Sequence, residues 1–271
     1  MKKFVKMAVA AVVVGMSFAA HANLVIDDFS TNQGVGLLSD STADGSGLYN
    51  SAAGAGILGG ERDLFITALT TDGFGADVGT NVSGGLLKYS TDTGASGRSI
   101  LKWDGVNGIA GVTGGSEAGF MGTLNPFGLG GVDLAATGSA FLIRVKESDL
   151  GFDFALTVFT SPTEWTMLVL ASAAHDNWLP ASSPIDFADF LGAPGEVAVV
   201  LGSGALRFTG SAGSADMSDV GAIMATINFS GSDAEIDLQI GDAGTVPEPA
   251  SLALIGVALL GLGAARRRKS A

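Results

Sequence analysis

The sequence predicts an all-β protein, a two-sheet antiparallel β-sandwich with a jelly-roll-like arrangement. Short runs of alternating apolar and polar residues, which are typical of half-buried strands, recur between turn-favouring clusters of Gly, Asn and Asp. Good helix formers are scarce between residues 23 and 246. The sequence has no repeat of fixed period, so a solenoid or a propeller is not expected. Around ten short strands joined by long loops are therefore expected.

The first half of the chain alternates predicted strands with glycine-rich loops. Strands are expected over residues 24–29, 62–69, 86–91 and 98–103. The last two are predicted to pair as a hairpin around Asp92-Thr93-Gly94, because Asp and Gly favour tight turns. Residues 31–60, and those from Gly105 to about Gly131, are predicted to be mostly loop because they are rich in Gly.

Three successive strands of the second half are predicted to form an antiparallel meander, over residues 140–146, 152–160 and 164–171. In the third strand Trp165, Met167 and Val169 share one face, which we predict to be the core face. Further strands are expected over residues 205–209, 220–229 and 234–240. The last of these alternates apolar and polar side chains without interruption, so it predicts a half-buried final strand.

Residues 1–22 have the features of a secretory signal peptide. Three lysines precede an apolar run from Met7 to Phe18, and Ala20-His21-Ala22 has the A-x-A pattern of a cleavage site. Cleavage is expected after Ala22, with Ala20 and Ala22 as the recognised small residues. The mature chain is therefore predicted to begin at Asn23 and to be exported.

Three features follow one another at the end of the sequence. Pro247-Glu248-Pro249 comes first, an uncharged apolar segment over 250–265 comes second, and Arg266-Arg267-Arg268-Lys269 comes last. As a helix the segment would be about 24 Å long, short of the roughly 30 Å of a hydrocarbon core. The basic cluster would stop transfer on the cytoplasmic side, and the prolines would hold an extended site outside the membrane. An ordinary C-terminal anchor is the alternative interpretation.

This tail resembles the PEP-CTERM sorting signal of exported Gram-negative bacterial proteins, because the three features occur in the same order. The resemblance implies recognition of Pro247, Glu248 and Pro249 by exosortase, with transient anchoring in the inner membrane and cleavage near the motif. It also implies a final location at the cell surface or in the extracellular matrix, and an association with exopolysaccharide and biofilm. The chain would then comprise a signal peptide (1–22), a sandwich body (23–245) and a sorting signal (246–271).

The body of the chain is strongly acidic. The whole chain has a formal net charge of −13, but residues 23–246 hold seven basic and 26 acidic residues, a net charge of −19. Such a body does not suit nucleic acid, which requires clustered Lys and Arg. The chain has no cysteine, so an exported body must be stable without disulfides.

The sequence offers few catalytic groups, so a non-enzymatic protein is expected. His21 leaves with the signal peptide, which leaves His175 as the one histidine of the mature chain. The lack of cysteine excludes thiol catalysis, and one histidine cannot form a histidine-rich metal site. No cofactor is expected, although the abundant carboxylates would suit calcium. Asp27, Asp28 and Asp104 are the candidate calcium ligands.

Two alternative functions remain open for the body. Ile26-Asp27-Asp28-Phe29, Gly60-Glu61-Arg62-Asp63-Leu64 and the Trp103-Asp104-Gly105 turn, together with the strand pattern, look loosely similar to galactose-binding-like carbohydrate modules. This resemblance implies sugar binding with a structural calcium, and Trp178, in a predicted loop, is the candidate for stacking on a sugar ring. A polysaccharide-degrading enzyme would need only two suitably spaced carboxylates, and no pair stands out.

Overall fold

The computed structural model describes residues 23–108, 111–172, 184–197 and 205–246. Within these ranges sixteen strands form two sheets, and every pair of neighbouring strands is antiparallel. The predicted fold of two antiparallel sheets is confirmed, with more strands than the ten expected.

The strands divide between a seven-stranded sheet A and a nine-stranded sheet B. Sheet A contains β1 (Val25–Asp27), β2 (Gln33–Asp40), β5 (Val78–Ser83), β6 (Leu86–Thr91), β9 (Ala140–Ser148), β12 (Ile185–Asp186) and β16 (Asp237–Val246). Sheet B contains β3 (Ser46–Ala53), β4 (Glu61–Thr70), β7 (Ser96–Trp103), β8 (Thr113–Ser116), β10 (Phe152–Phe159), β11 (Trp165–Ser172), β13 (Gly195–Val197), β14 (Ala205–Thr209) and β15 (Ala222–Ile227). In the described part of the chain the helical elements are α1 (Glu117–Met121) and two 3-10 segments, Leu58–Gly60 and Phe187–Phe190.

Strands that are neighbours in a sheet are often distant in the chain. Sheet A has the order β12-β9-β16-β6-β5-β2, and β1 pairs with β16 as well. Sheet B has the order β13-β14-β11-β10-β15-β7-β4-β3-β8. The last strand in the described ranges, β16, therefore lies in the middle of sheet A, between β9 and β6.

The hydrophobic core lies between the two sheets. Leu87 and Leu238 of sheet A, and Leu64 and Leu101 of sheet B, are almost fully buried members of it. Burying a leucine side chain stabilises the fold by about 1.5–3 kcal/mol. This core holds the sheets together in a chain without cysteine.

The prediction that residues 31–60 are mostly loop is wrong, because β2 and β3 lie in this range. Gly and Ser have little intrinsic preference for strands, so the local sequence does not indicate them. These strands depend on partners that are distant in the chain. Leu38 stands opposite Thr80 of β5, and Leu48 stands opposite Ile66 of β4.

Two predicted strand pairings are wrong for the same reason. At each place the chain crosses from one sheet to the other, where adjacent antiparallel strands were expected. β6 and β7 both exist, but β6 pairs with β5 and β16 in sheet A, whereas β7 pairs with β4 and β15 in sheet B. In the predicted meander, β10 and β11 do pair, but β9 belongs to sheet A. Alternation shows that a strand has a buried face and does not identify its neighbours.

The predicted inward face of β11 is also wrong. Thr166, Leu168 and Leu170 are buried, whereas Trp165 and Met167 are only partly buried. Trp165 packs on a second apolar cluster on the outer face of sheet B. We call this the outer cluster; it consists of Phe65, Ile100, Phe120, Phe159, Ala222 and Met224. Because β11 is apolar on both faces, its sequence could not show which face points inward.

Candidate functional site

The last strand brings the folded body directly to the Pro-Glu-Pro sequence. Ile236, Leu238 and Ile240 are buried and Asp237 is exposed, which confirms the predicted alternation. The strand does not end at Ile240 as predicted, because β16 continues to Val246. The sheet therefore reaches the residue that immediately precedes Pro247.

Hydrogen bonds from both sides hold the end of β16. Thr245 stands opposite Phe141 of β9, and the amide of Ser139 donates to the carbonyl of Val246 at 3.0 Å. On the other side, the amide of Thr245 donates to the carbonyl of Leu24 at 2.9 Å. The amide of Leu24 donates in turn to Thr245 Oγ1 at 3.0 Å. The beginning and the end of the sandwich are thus adjacent in space.

Both predicted processing sites adjoin this end of the sandwich in the sequence, but their own residues lie outside the described ranges. These are Ala20, Ala22, Pro247, Glu248, Pro249, the apolar segment 250–265 and the cluster Arg266, Arg267, Arg268 and Lys269. Their roles remain predictions. Trp178, the candidate for sugar stacking, and His175 also lie outside the described ranges.

Asp27, one of the candidate calcium ligands, belongs to a buried ion pair. Arg62 Nη1 lies 2.9 and 2.8 Å from the two carboxylate oxygens, and both side chains are fully buried. Trp103 Nε1 donates to Asp27 Oδ2 at 2.9 Å, and the amide of Phe29 donates to Oδ1 at 2.8 Å. Arg62 Nε donates to Gln33 Oε1 at 2.5 Å. Four donor contacts thus occupy the carboxylate of Asp27, and the group joins β1 to β4 and β7.

The other two candidate calcium ligands have different environments. Asp28 is exposed, and hydrogen bonds from Ser30 lower the pKa of its carboxyl group. Asp104 is buried; its Oδ2 accepts the amide of Asn125 at 2.8 Å and Asn107 Nδ2 at 3.2 Å. Burial raises the pKa of Asp104, although the Asn125 amide opposes this shift. Across the residues that the structure describes, no three Asp, Glu, His or Cys side chains are grouped so that they could hold a metal ion.

A second buried ion pair was missed from the sequence. Lys102 Nζ lies 3.1 Å from Asp63 Oδ2 and 4.0 Å from Asp104 Oδ2. Lys102 and Asp63 are direct cross-strand partners on β7 and β4, on the outer face of sheet B. The signal was present in the order Arg62-Asp63-Leu64-Phe65, because successive residues of a strand face opposite sides, which places Arg62 and Asp63 on different faces. An aspartate on the face opposite Arg62 requires its own cation, and Lys102 on the adjacent strand supplies it.

Both ion pairs lie inside the body, where each cation has a carboxylate partner. Truncating either partner of such a pair leaves an uncompensated charge, which is why both members are needed for stability. The functional candidate is therefore the end of the sandwich where β16 meets the tail. No helix in the described part of the chain is both long enough and apolar enough to cross a membrane.

Comparison with known proteins identifies that tail. Residues 245–269 match the PEP-CTERM protein-sorting motif, so the match begins within the last two residues of β16. No curated protein and no solved structure matches the chain. The matched segment contains Pro247-Glu248-Pro249, the apolar stretch and the basic cluster. This chain carries a PEP-CTERM sorting signal, the mark of an exported protein that exosortase processes.

Proposed function

We propose that the protein is a non-enzymatic component of the cell surface or extracellular matrix, delivered there by exosortase. The observation that carries the proposal is the position of the sorting motif, which starts on the last two residues of β16. In this account the signal peptide starts export, and the apolar segment 250–265 holds the chain in the inner membrane. Exosortase then cleaves near Pro247 and releases the folded sandwich.

The arrangement of the two ends supports this sequence of events. Leu24 and Thr245 are joined by two hydrogen bonds, so the membrane segments on either side would leave the same end of the sandwich. A body tethered through this end projects its opposite end away from the membrane. Since the sheet continues to Val246, the body would lie directly beside the enzyme that cuts the motif.

The composition of the body supports a role outside the cell without catalysis. Its net charge of −19 keeps a secreted protein soluble. Of the candidate calcium ligands, Asp27 is held in an internal ion pair with Arg62. The association with exopolysaccharide and biofilm rests on the resemblance of the tail, and polysaccharide is the ligand class we propose for the exposed loops.

Replacing Pro247, Glu248 and Pro249 together with alanine in the native host tests the sorting step. We expect nearly all of the variant to remain in the membrane as an uncut precursor, because the enzyme loses the extended motif that it recognises. Membrane and medium fractions would be compared by immunoblot and intact mass.

The matched control is the pair Pro162→Ala and Glu164→Ala, which changes the same residue types in the exposed β10–β11 turn. The control should be cut and released like the wild type. Equal release of the triple variant and the wild type would overturn the sorting proposal.

A further inference from the structure

Lys102 and Asp63 form an unusually enclosed ion pair on the outer face of sheet B. They stand directly opposite each other on adjacent antiparallel strands, with Nζ 3.1 Å from Asp63 Oδ2. The side chain of Lys102 is fully buried and that of Asp63 is 6% exposed. The hydroxyl of Ser51 donates to the other oxygen of Asp63, Oδ1. The amine nitrogen is therefore held in direct contact with the carboxylate of Asp63.

Apolar and neutral groups surround this pair. Helix α1, which Ser116 caps by accepting the amide of Gly119, places the ring of Phe120 4.1 Å from Lys102 Nζ. Nζ also donates to Thr123 Oγ1 at 2.7 Å and to the carbonyl of Phe120 at 3.3 Å. Removing such charges from water is costly, and the cost is offset only by close pairing and hydrogen bonds.

A second carboxyl group lies beside the pair. Asp104 Oδ2 is 4.0 Å from Lys102 Nζ, and Asp104 is itself buried. Burial raises the pKa of Asp104, so its neutral, proton-carrying form is favoured relative to an exposed aspartate. An amine, a carboxyl group and a proton carrier thus share one enclosed site.

We propose that Lys102 and Asp63 condense to form an intramolecular isopeptide bond, with Asp104 as the proton relay. Sorting and cleavage of the tail do not require this bond, so the inference is independent of the proposed function.

The reaction balances without any co-reactant. The lysine ammonium first passes a proton to the carboxylate of Asp63, which gives a neutral amine and a neutral acid. The nitrogen lone pair attacks Cγ, and the new N–C bond forms a tetrahedral centre. Asp104 then donates a proton to the departing oxygen and recovers one from the nitrogen. The Cγ–Oδ2 bond breaks, water leaves, and Oδ1, held by Ser51, becomes the amide oxygen.

The product suits the site better than the ion pair does. Two buried charges become one neutral amide, whose N–H faces acceptors that already bind Nζ. The bond would link β4 to β7 near the centre of sheet B. A chain that has no cysteine would thereby gain a covalent crosslink that no reducing agent can open.

Intact mass of the denatured protein, purified from its own host, tests the proposal. Once both termini have been determined, we expect the measured mass to be lower by one water than the mass calculated from the sequence between them. After digestion, a branched peptide should join residue 63 to residue 102, and trypsin should no longer cleave after Lys102. A mass equal to that of the sequence would overturn the proposal and leave an ion pair only.

Loss of water has a second source, because Asp44, Asp72 and Asp104 each precede glycine and can cyclise to a succinimide. A succinimide reopens in mild base and maps to a single peptide, whereas an isopeptide bond survives and joins two. A water loss that reopens in base would therefore contradict the proposal.

The variant Asp104→Asn separates a proton relay from a merely structural residue. It keeps Lys102 and Asp63 side by side and removes the proton carrier, so we expect the full mass, with the near-ultraviolet circular dichroism of the folded protein. The matched control Asp242→Asn, in the exposed pair with Arg144, should still lose one water. Complete crosslinking in folded Asp104→Asn would overturn the role of Asp104.

Discussion

Replacing Arg62 with methionine is expected to lower the free energy of unfolding by about 3–5 kcal/mol. Methionine retains much of the apolar stem but leaves the carboxylate of Asp27 fully buried without its cation. The change also removes the hydrogen bond from Arg62 Nε to Gln33 and the contact of the guanidinium with the ring of Phe29, 5.4 Å away. Urea unfolding followed by tryptophan fluorescence measures the loss, since Trp103 bonds to the same carboxylate.

The matched control for this prediction is Arg144→Met. Arg144 pairs with Asp242 at 3.2 Å, but both side chains are 41% exposed, so water screens the pair and the expected change is about 0–1 kcal/mol. The double variant Asp27→Leu with Arg62→Met removes both buried charges and should recover part of the loss. Similar small losses for the Arg62 and Arg144 variants would show that the buried pair is not needed for stability.

Replacing Phe141 with alanine is expected to cost about 3–5 kcal/mol, because a fully buried ring leaves a cavity that the sheets cannot fill. Its ring packs edge-on against the rings of Phe187 and Phe190, with centroids 4.9 and 5.3 Å away. It therefore joins β9 to the 3-10 segment that contains these two residues. Phe141 also stands opposite Thr245, so the same change should loosen the end of β16 that leads to the motif.

The control Phe127→Ala removes a ring that is 60% exposed and should change stability by no more than about 0.5 kcal/mol. Thermal unfolding of the two variants gives the comparison, and protease sensitivity near residue 245 reports on the end of β16. Equal stability of the two variants would contradict the position of Phe141 in the core.

The sequence supports the prediction of strands best where the alternation is uninterrupted. The final strand was found because apolar residues at 236, 238 and 240 alternate with polar ones, and its burial follows that pattern. The strands β2 and β3 were missed because Gly and Ser carry no local signal. The sheet assignments of β7 and β9 were also wrong, because partners distant in the chain decide pairing and alternation does not reveal them.

The candidate site shows the same division between local and distant information. The sorting tail is a contiguous motif, so its features are visible in the sequence alone, and the match over residues 245–269 confirms it. The ion pairs join residues 35 and 39 positions apart, Asp27 with Arg62 and Asp63 with Lys102. Strand register brings Asp63 and Lys102 together, whereas Asp27 and Arg62 lie in different sheets and meet where the sheets pack against each other. Asp27 therefore looked like a free calcium ligand in the sequence, whereas in the fold it is the partner of Arg62.

Intact mass of the protein recovered from the envelope and the medium of its own host tests the central claim most directly. The account predicts a released species that begins at Asn23 and ends between Pro247 and Ala250, with the apolar segment and the basic cluster removed. A membrane-bound species that retains Arg266 to Ala271 as the final product would contradict it, since the tail would then be a permanent anchor.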